Sequence, residues 1–247
     1  MYRGFMLSCD DYFFDENEIN YFYEIGKEEL EEDDIQVQKV FDCYISKNIL
    51  DGTAIQDDWF PQIHCDIFIS HSHEDRDLAT ALAGWLREKF GLKAFVDSSI
   101  WGYANDLIDI LLEETDDNYP HNERNNSDLK YITSHVHNML NVALMNMIEK
   151  SKCLFFLNTP NSTILDGIKT YTLSPWIYTE LEISKILSQR PMQISDSRIA
   201  YELDLSHLTE IDYRDLNEWE ESNTQGYDAL DTLYRLKKYR KKRTINV

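Results

Sequence analysis

The sequence lacks any apolar run close to the roughly 20 residues that a membrane-spanning helix requires. Its first residues also lack the basic and then apolar pattern of a secretory signal peptide. We therefore expect a cytoplasmic protein that does not enter a membrane. The chain has 247 residues, 43% of them hydrophobic and 13% aromatic. A chain of this length can bury about 70–75% of its unfolded surface.

Paired cysteines are also missing. The four cysteines (Cys9, Cys43, Cys65 and Cys153) lie far apart and form no CxxC pair. This spacing favours buried, reduced thiols over a metal or redox site.

Positive charge is scarce. The chain has 24 Lys and Arg against 45 Asp and Glu, and its formal net charge is −21. Because nucleic-acid binding depends on clustered cations that neutralise phosphates, this composition argues against a nucleic-acid partner. The basic run at residues 235–243 is a local exception. We interpret it as a solvated tail in preference to a nucleic-acid or membrane patch.

The composition divides the chain into three segments. Residues 1–61 are strongly acidic yet rich in aromatic side chains, which predicts a largely helical extension that packs on the main domain. Residues 62–205 alternate short apolar strands with amphipathic helices, and residues 206–247 are predicted to be helical with a basic tail. Alternation of strands and helices indicates an α/β fold with a parallel sheet and right-handed crossovers.

The predicted strands are residues 65–70, 93–97, 152–157 and 199–203. Helices are predicted to follow each of the first three strands and to occupy much of the chain after the fourth.

The first of these helices has recognisable start and stop signals. Ser72 is a plausible N-cap that forms a capping box with Asp75, and Gly91 is a typical C-terminal stop.

The helix predicted to start at Ser174 and Pro175 carries an ionisable residue on its apolar side. Ser174 suits the N-cap and Pro175 the first helical position. At about 100° per residue, Glu180 falls inside the apolar arc. That arc consists of Trp176, Ile177, Leu181, Ile183 and Leu187. Because burying a carboxylate is costly unless something compensates, Glu180 is the first candidate for chemistry.

Ligands of open parallel sheets bind beyond the carboxyl ends of the strands. Three loops are predicted to meet there, at residues 70–73, 97–103 and 158–174. They would surround Glu180 with a set of polar and aromatic side chains: Ser70, His71, Ser72, Asp97 and Trp101.

Two motifs resemble the Toll/interleukin-1 receptor (TIR) domain family. The stretch Asp66-Ile-Phe-Ile-Ser-His-Ser-His-Glu-Asp75 is similar to the family's first box. The stretch Ser174-Pro-Trp-Ile-Tyr-Thr-Glu-Leu181 is similar to its third-helix signature, including the W-x-x-x-E spacing of bacterial members. The resemblance covers residues 62–205. No Arg-Asp-x-x-Gly stretch follows Asp97, which departs from the family's second box.

The resemblance implies a flavodoxin-like, doubly wound parallel sheet. It also implies an NAD+ glycohydrolase or cyclase that cleaves the nicotinamide–ribose bond, with Glu180 as the catalytic residue and NAD+ as substrate rather than cofactor. In bacteria, such proteins resemble the signal-producing component of Thoeris-type antiviral defence. Their product, a cyclic or modified ADP-ribose, activates a separate effector protein.

One carboxylate can suffice for this reaction. Nicotinamide leaves NAD+ as a neutral base and needs no general acid, unlike the alcohol leaving group of a glycosidase. A carboxylate about 4 Å from the developing ribose cation is worth about 4 kcal/mol at an effective dielectric of about 20, which approaches a thousandfold in rate.

The other candidate substrate-binding residues have more than one interpretation. Trp176 is either a stacking partner for a substrate ring or a core aromatic. Ser70 and Ser72 either cap the following helix or contact substrate. Asp97 is a site residue or a turn former, and Trp101 is a lid or loop packing.

Two alternative functions remain open. The stretch His71-Ser-His73-Glu-Asp75-Arg76 is similar to the HxHxDH signature of metallo-β-lactamase-type, metal-dependent hydrolases, but Arg76 replaces its last ligand. The second alternative is a non-catalytic TIR-type assembly module, whose expected partner is another copy of the same chain in a homo-oligomer. The interpretation that we favour assigns no metal.

Overall fold

The computed structural model of the chain describes residues 3–8, 14–34, 45–46, 49–50, 52–100, 104–116, 126–166, 169–188, 201–202 and 204–243. The central sheet has five strands: β1 (Arg3–Ser8), β4 (Ile67–Ser70), β5 (Ala94–Phe95), β6 (Cys153–Asn158) and β10 (Leu208–Ile211). Their order across the sheet is β10-β1-β6-β4-β5, and every neighbouring pair is parallel. The protein is therefore an α/β protein built on a five-stranded parallel sheet.

Two small antiparallel sheets accompany the central one. The first pairs β2 (Ile45–Ser46) with β3 (Ile49–Leu50). The second joins β7 (Ile164–Asp166), β8 (Lys169–Thr172) and β9 (Tyr201–Glu202).

Nine helices complete the described part of the chain. They are α1 (Glu16–Asp34), α2 (Gly52–Trp59), α3 (Arg76–Phe90), α4 (Asp97–Ile100), α5 (Ala104–Asp116), α6 (Asn126–Lys150), α7 (Pro175–Leu187), α8 (Tyr213–Glu221) and α9 (Gly226–Arg243). A 3₁₀ turn, His73–Asp75, precedes α3. No helix among these described residues is long and apolar enough to cross a membrane.

Helices cover both faces of the sheet. Successive residues of β1 point to opposite faces: a Cβ placed on Gly4 would lie 3.2 Å from Ser184 of α7, whereas Phe5 stacks on Tyr234 of α9 at 5.8 Å. Helices α1, α3 and α8 pack on the α9 side, and α2, α5 and α6 pack with α7. The central strands are consequently buried on both faces.

Helices α1 and α3 cross at two glycines. A Cβ on Gly26 would lie 2.0 Å from the carbonyl oxygen of Thr80, and a Cβ on Gly84 would lie 1.9 Å from that of Phe22. Because neither position has room for a side chain, this crossing depends on glycine in both helices.

The strands predicted at residues 65–70, 93–97 and 152–157 are confirmed as β4, β5 and β6. Residues 199–203 contain a strand as well, but β9 joins the small antiparallel sheet. Sequence patterns predict neither β1 nor β10. The central sheet thus takes strands from all three segments into which composition divides the chain.

The predicted helix ends have mixed outcomes. Gly91 adopts a left-handed conformation after α3, and Ser174 caps α7 by accepting a hydrogen bond from the Ile177 N–H. The predicted capping box of Ser72 and Asp75 is wrong, because neither side chain makes a capping hydrogen bond.

Candidate functional site

The sheet changes winding direction between β4 and β6. From β4 the chain continues to β5 on one side and then returns to β6 on the other side of β4. Loops leave the two carboxyl ends, at Ser70 and Asn158, in opposite directions, and a ligand-binding crevice is expected between two such loops. This is the edge at which a ligand is expected to bind.

Glu180 is held below the surface by helix α7. Ser174 and Pro175 fix the start of the helix, and the residues that share the inner face with Glu180 are Ile177, Leu181 and Ser184. Only 2% of the Glu180 surface is exposed, and its Oε2 has no hydrogen-bond partner within the described ranges. The predicted position of this carboxylate on a packed face is confirmed.

Two further buried oxygens near Glu180 also lack a hydrogen-bond partner among the described residues. The hydroxyls of Ser70, at the end of β4, and Ser184, one turn after Glu180, are fully buried and have no hydrogen-bond partner among the described residues. Ser70 lies close enough to Glu180 to stabilise its charge, but the pair does not reach hydrogen-bond geometry. Because buried polar atoms are normally paired, these oxygens mark a place for a polar ligand or water.

Burial raises the pKa of Glu180 well above its ordinary value. The negative charge of Asp97 raises this pKa further, and Ser70 acts in the opposite direction. Glu180 therefore keeps its proton to a higher pH than an exposed glutamate. A cation placed beside it would favour the charged form and lower the pKa again.

His71 lies next to Asp97 at the same sheet edge. Its side chain is 1% exposed, and its Nδ1 is 3.8 Å from Oδ1 of Asp97 and 3.2 Å from the carbonyl oxygen of Ile69. Its Nε2 is 2.8 Å from Oγ of Ser98. Ser98 was missed by the sequence analysis, which had no signal to pair a serine with a histidine 27 residues earlier.

Asp75 is a second residue that sequence reasoning misjudged. Its carboxylate is buried and accepts hydrogen bonds from Thr159 Oγ1 at 2.5 Å and Asn161 Nδ2 at 2.7 Å. It therefore joins the loops after β4 and β6 across the crevice. Ser72, on the first of these loops, is 9% exposed.

The predictions for the two candidate tryptophans, Trp176 and Trp101, have different outcomes. Trp176 packs partly buried against the core, and its ring meets the ring of His137 on α6 edge to face at 5.4 Å. Its own packing thus accounts for an aromatic residue at this position. Trp101 lies outside the described residues.

The described residues also enclose a cavity of about 290 Å³ on the opposite face of the sheet. Helices α1, α3 and α8 line it, with Phe22, Trp85 and Lys89 among its walls. Lys89 spans its rim in an ion pair of 2.7 Å with Glu220. Glu180 does not line this cavity.

A metal centre finds little support in the geometry of the histidine motif. Both nitrogens of His71 face protein atoms, and His73 is exposed in the 3₁₀ turn. Within the described ranges, no three His, Cys, Asp or Glu side chains are grouped to hold a metal ion.

Comparisons of this chain with protein-family models, with curated proteins and with solved structures found no match.

Proposed function

We propose that this protein cleaves NAD+ at the nicotinamide–ribose bond and that Glu180 stabilises the ribose cation as nicotinamide departs. The observation that carries the proposal is the buried Glu180 carboxyl near Ser70, whose Oε2 has no hydrogen-bond partner among the described residues. Burying an ionisable group without a partner opposes folding. A function that uses the group explains its presence better than packing does.

The strand order supports the TIR-like, flavodoxin-like part of the proposal. The order β5-β4-β6 equals the 2-1-3 order of the first three strands of a flavodoxin-like sheet. The next two positions are filled by β1 and β10, one from each end of the chain. A TIR-like unit in this protein would thus use a strand from before its first box.

The charges suit a cationic substrate. The positively charged pyridine ring of NAD+ would approach the carboxyls of Glu180 and Asp97. Its charge would lower the pKa of Glu180, so that Glu180 releases its proton to solvent. The C1′–N bond then breaks with both electrons going to the nicotinamide nitrogen. The positive charge passes to the ribose, where the Glu180 carboxylate stabilises it.

The oxygens around Glu180 suit a sugar. The hydroxyls of Ser70 and Ser184 have no hydrogen-bond partner among the described residues, so each can form a hydrogen bond with a substrate. Ribose hydroxyls both donate and accept, so they can satisfy these atoms and orient the sugar above Glu180. The acceptor that captures C1′ decides whether the product is ADP-ribose, a cyclic form or a conjugate. In bacterial antiviral defence, such a product would act on a separate effector protein.

The test is chromatography with mass spectrometry of NAD+ incubated with concentrated, full-length protein. We expect Glu180→Gln to lower nicotinamide release at least about 10²-fold, as for the loss of a transition-state charge partner, without loss of the fold. Glu182→Gln is the matched control, because Glu182 lies on the same helix but pairs with Lys185 at 3.4 Å. Equal turnover in wild type and Glu180→Gln would refute the assignment.

One observation favours a second candidate, a TIR-type assembly module. Glu180 is 2% exposed, and the described cavity lies on the other face of the sheet. A module that works by self-association needs no substrate access to Glu180. Light scattering over a concentration series distinguishes this role if higher oligomers form equally in wild type and Glu180→Gln, with no nicotinamide released by either.

A further inference from the structure

A serine and a histidine form a close pair beside the proposed site. Ser98, the second residue of α4, has its Oγ 2.8 Å from Nε2 of His71. His71 follows directly after β4, so the pair joins the loops that leave β4 and β5. A hydroxyl within hydrogen-bond reach of an imidazole, which a third group orients in turn, is the arrangement of an activated nucleophile.

The partners of His71 determine where its proton lies. Nδ1 faces the Ile69 carbonyl oxygen at 3.2 Å and Asp97 Oδ1 at 3.8 Å. The Ile69 carbonyl oxygen can only accept a hydrogen bond, so Nδ1 carries the hydrogen of the neutral ring. Nε2 is then unprotonated, and it accepts a hydrogen bond from the Ser98 hydroxyl.

The surroundings can also support the charge that follows. A proton taken from Ser98 would convert the buried His71 ring into a cation. The Asp97 carboxylate, whose side chain is 28% exposed, lies 3.8 Å away and would stabilise that cation. The same Asp97 charge acts on Glu180, so the residue that orients His71 also lies within electrostatic range of the proposed catalytic carboxyl.

We propose that Ser98 is a site of self-modification that captures the ADP-ribosyl group released from NAD+. The inference rests on the proposed cleavage. The C1′–N bond of NAD+ breaks and nicotinamide leaves with the electron pair, a C1′–Oγ bond forms to Ser98, and the hydroxyl proton goes to His71 Nε2. A ribose cation is a strong electrophile, so this capture requires only a positioned hydroxyl and a base.

The experiment follows nicotinamide release and protein mass together. Full-length protein is incubated with NAD+, released nicotinamide is quantified, and the intact protein and its peptides are weighed. We expect one ADP-ribosyl group on the peptide that contains Ser98, at the Ser98 side chain. In Ser98→Ala, the ratio of this adduct to the nicotinamide released should fall to zero. The neighbouring Ser99→Ala is the matched control and should retain it.

Substitution of the base tests the mechanism separately from the site. His71→Gln should lower the Ser98 adduct per nicotinamide released by about 10²-fold, the usual contribution of a general base. An adduct that is unchanged in His71→Gln, or that forms on other residues, overturns the proposal.

The outcomes distinguish the inference from the function beneath it. Nicotinamide release by the wild type without an adduct on Ser98 overturns the inference and leaves the cleavage intact. No nicotinamide release from wild type rejects both. Diisopropyl fluorophosphate, a reagent that labels activated serines, tests the Ser98–His71 pair in the absence of NAD+. We expect labelling of Ser98 in the wild type and its loss in His71→Gln. If Ser98 is not labelled in the wild type, its activation by His71 is rejected.

Discussion

Asp75 accepts a hydrogen bond of 2.5 Å from the hydroxyl of Thr159, a residue 84 positions further along the chain. The bond joins the start of α3 to the loop that follows β6. Asn161 donates to the other oxygen of the same carboxylate at 2.7 Å. The loops after β4 and β6 are therefore held together by one buried side chain.

We expect Asp75→Asn to destabilise the fold by about 1–3 kcal/mol, because the amide cannot accept both hydrogen bonds that the carboxylate accepts. Urea denaturation measures the change. Asp77→Asn is the matched control, since Asp77 is an exposed acid in the first turn of the same helix. Equal midpoints for wild type and Asp75→Asn would show that the bridge contributes nothing.

Glu180→Gln should be more stable than the wild type above neutral pH. The pKa of Glu180 is raised in the folded state from 4.5, so below about pH 4.5 the group is protonated in both states. As the pH rises towards the pKa of Glu180 in the folded state, this carboxyl is ionised in the unfolded state but stays protonated in the folded state. The free energy of unfolding of the wild type therefore falls. Glutamine carries no such penalty.

Thermal unfolding at several pH values measures this difference. We expect the melting temperature of Glu180→Gln to exceed that of the wild type by at least about 2 °C at pH 8, corresponding to about 1 kcal/mol in a chain of this size. The difference should disappear at pH 4. A constant difference at all pH values would contradict the burial of an ionisable carboxyl.

Turnover of NAD+ by the wild type should rise with pH. Since Glu180 acts as a carboxylate and its pKa is raised by burial and by Asp97, activity is expected to increase until the group is ionised in the complex. Initial rates of nicotinamide release across the pH range in which the fold is stable provide the profile. A profile that falls over this range would assign the controlling group to something other than Glu180.

Gly84→Ala should disrupt the packing of α1 on α3. Its new methyl group would lie 1.9 Å from the Phe22 carbonyl oxygen, and backbone atoms cannot yield as side chains do. We expect a loss of about 3 kcal/mol, at the upper end of the usual cost of overpacking. Gly52→Ala is the control, because its Cβ would meet only the flexible end of Met139 at 3.2 Å. Similar denaturation midpoints for the two variants would contradict the close crossing.

Lys89→Met should cost less than about 1 kcal/mol, in contrast to the buried bridge of Asp75. The Lys89–Glu220 pair is 2.7 Å long, but both side chains are over one-third exposed. Solvent screening therefore weakens the attraction, and Glu220 keeps a hydrogen bond from Trp85 Nε1. Denaturation midpoints compared with Lys130→Met, a substitution at an exposed lysine of α6, test this prediction. A loss of several kcal/mol in Lys89→Met would refute the screening argument.

Sequence reasoning located the elements whose signals are local. Helix α7 begins at Pro175, after the N-cap Ser174, as predicted, because a capping hydroxyl and a proline act within one turn. Gly91 ends α3 because its left-handed conformation is a property of that residue. Strand β1 was missed because its apolar stretch is short and lies in an acidic segment whose aromatic spacing favoured helix.

The candidate site was predictable only in part. The side of its helix on which Glu180 lies follows from helical periodicity, and the loops that meet it follow from the rule for parallel sheets. The pairing of His71 with Ser98 and the bridge from Asp75 to Thr159 did not follow. Each joins residues far apart in sequence, and no periodic signal specifies such a partner.

Local signals were enough to predict the α/β alternation, the C-terminus of α3, the N-terminus of α7, and the placement of an acid among the apolar side chains of α7. These features depend on interactions within a few residues. Long-range packing was needed to show that β1 and β10 complete the sheet, that His71 pairs with Ser98, and that Oε2 of Glu180 lacks a partner in the described part of the chain. The physical reason is that burial, and with it the pKa of Glu180, is set by groups brought together from distant parts of the chain.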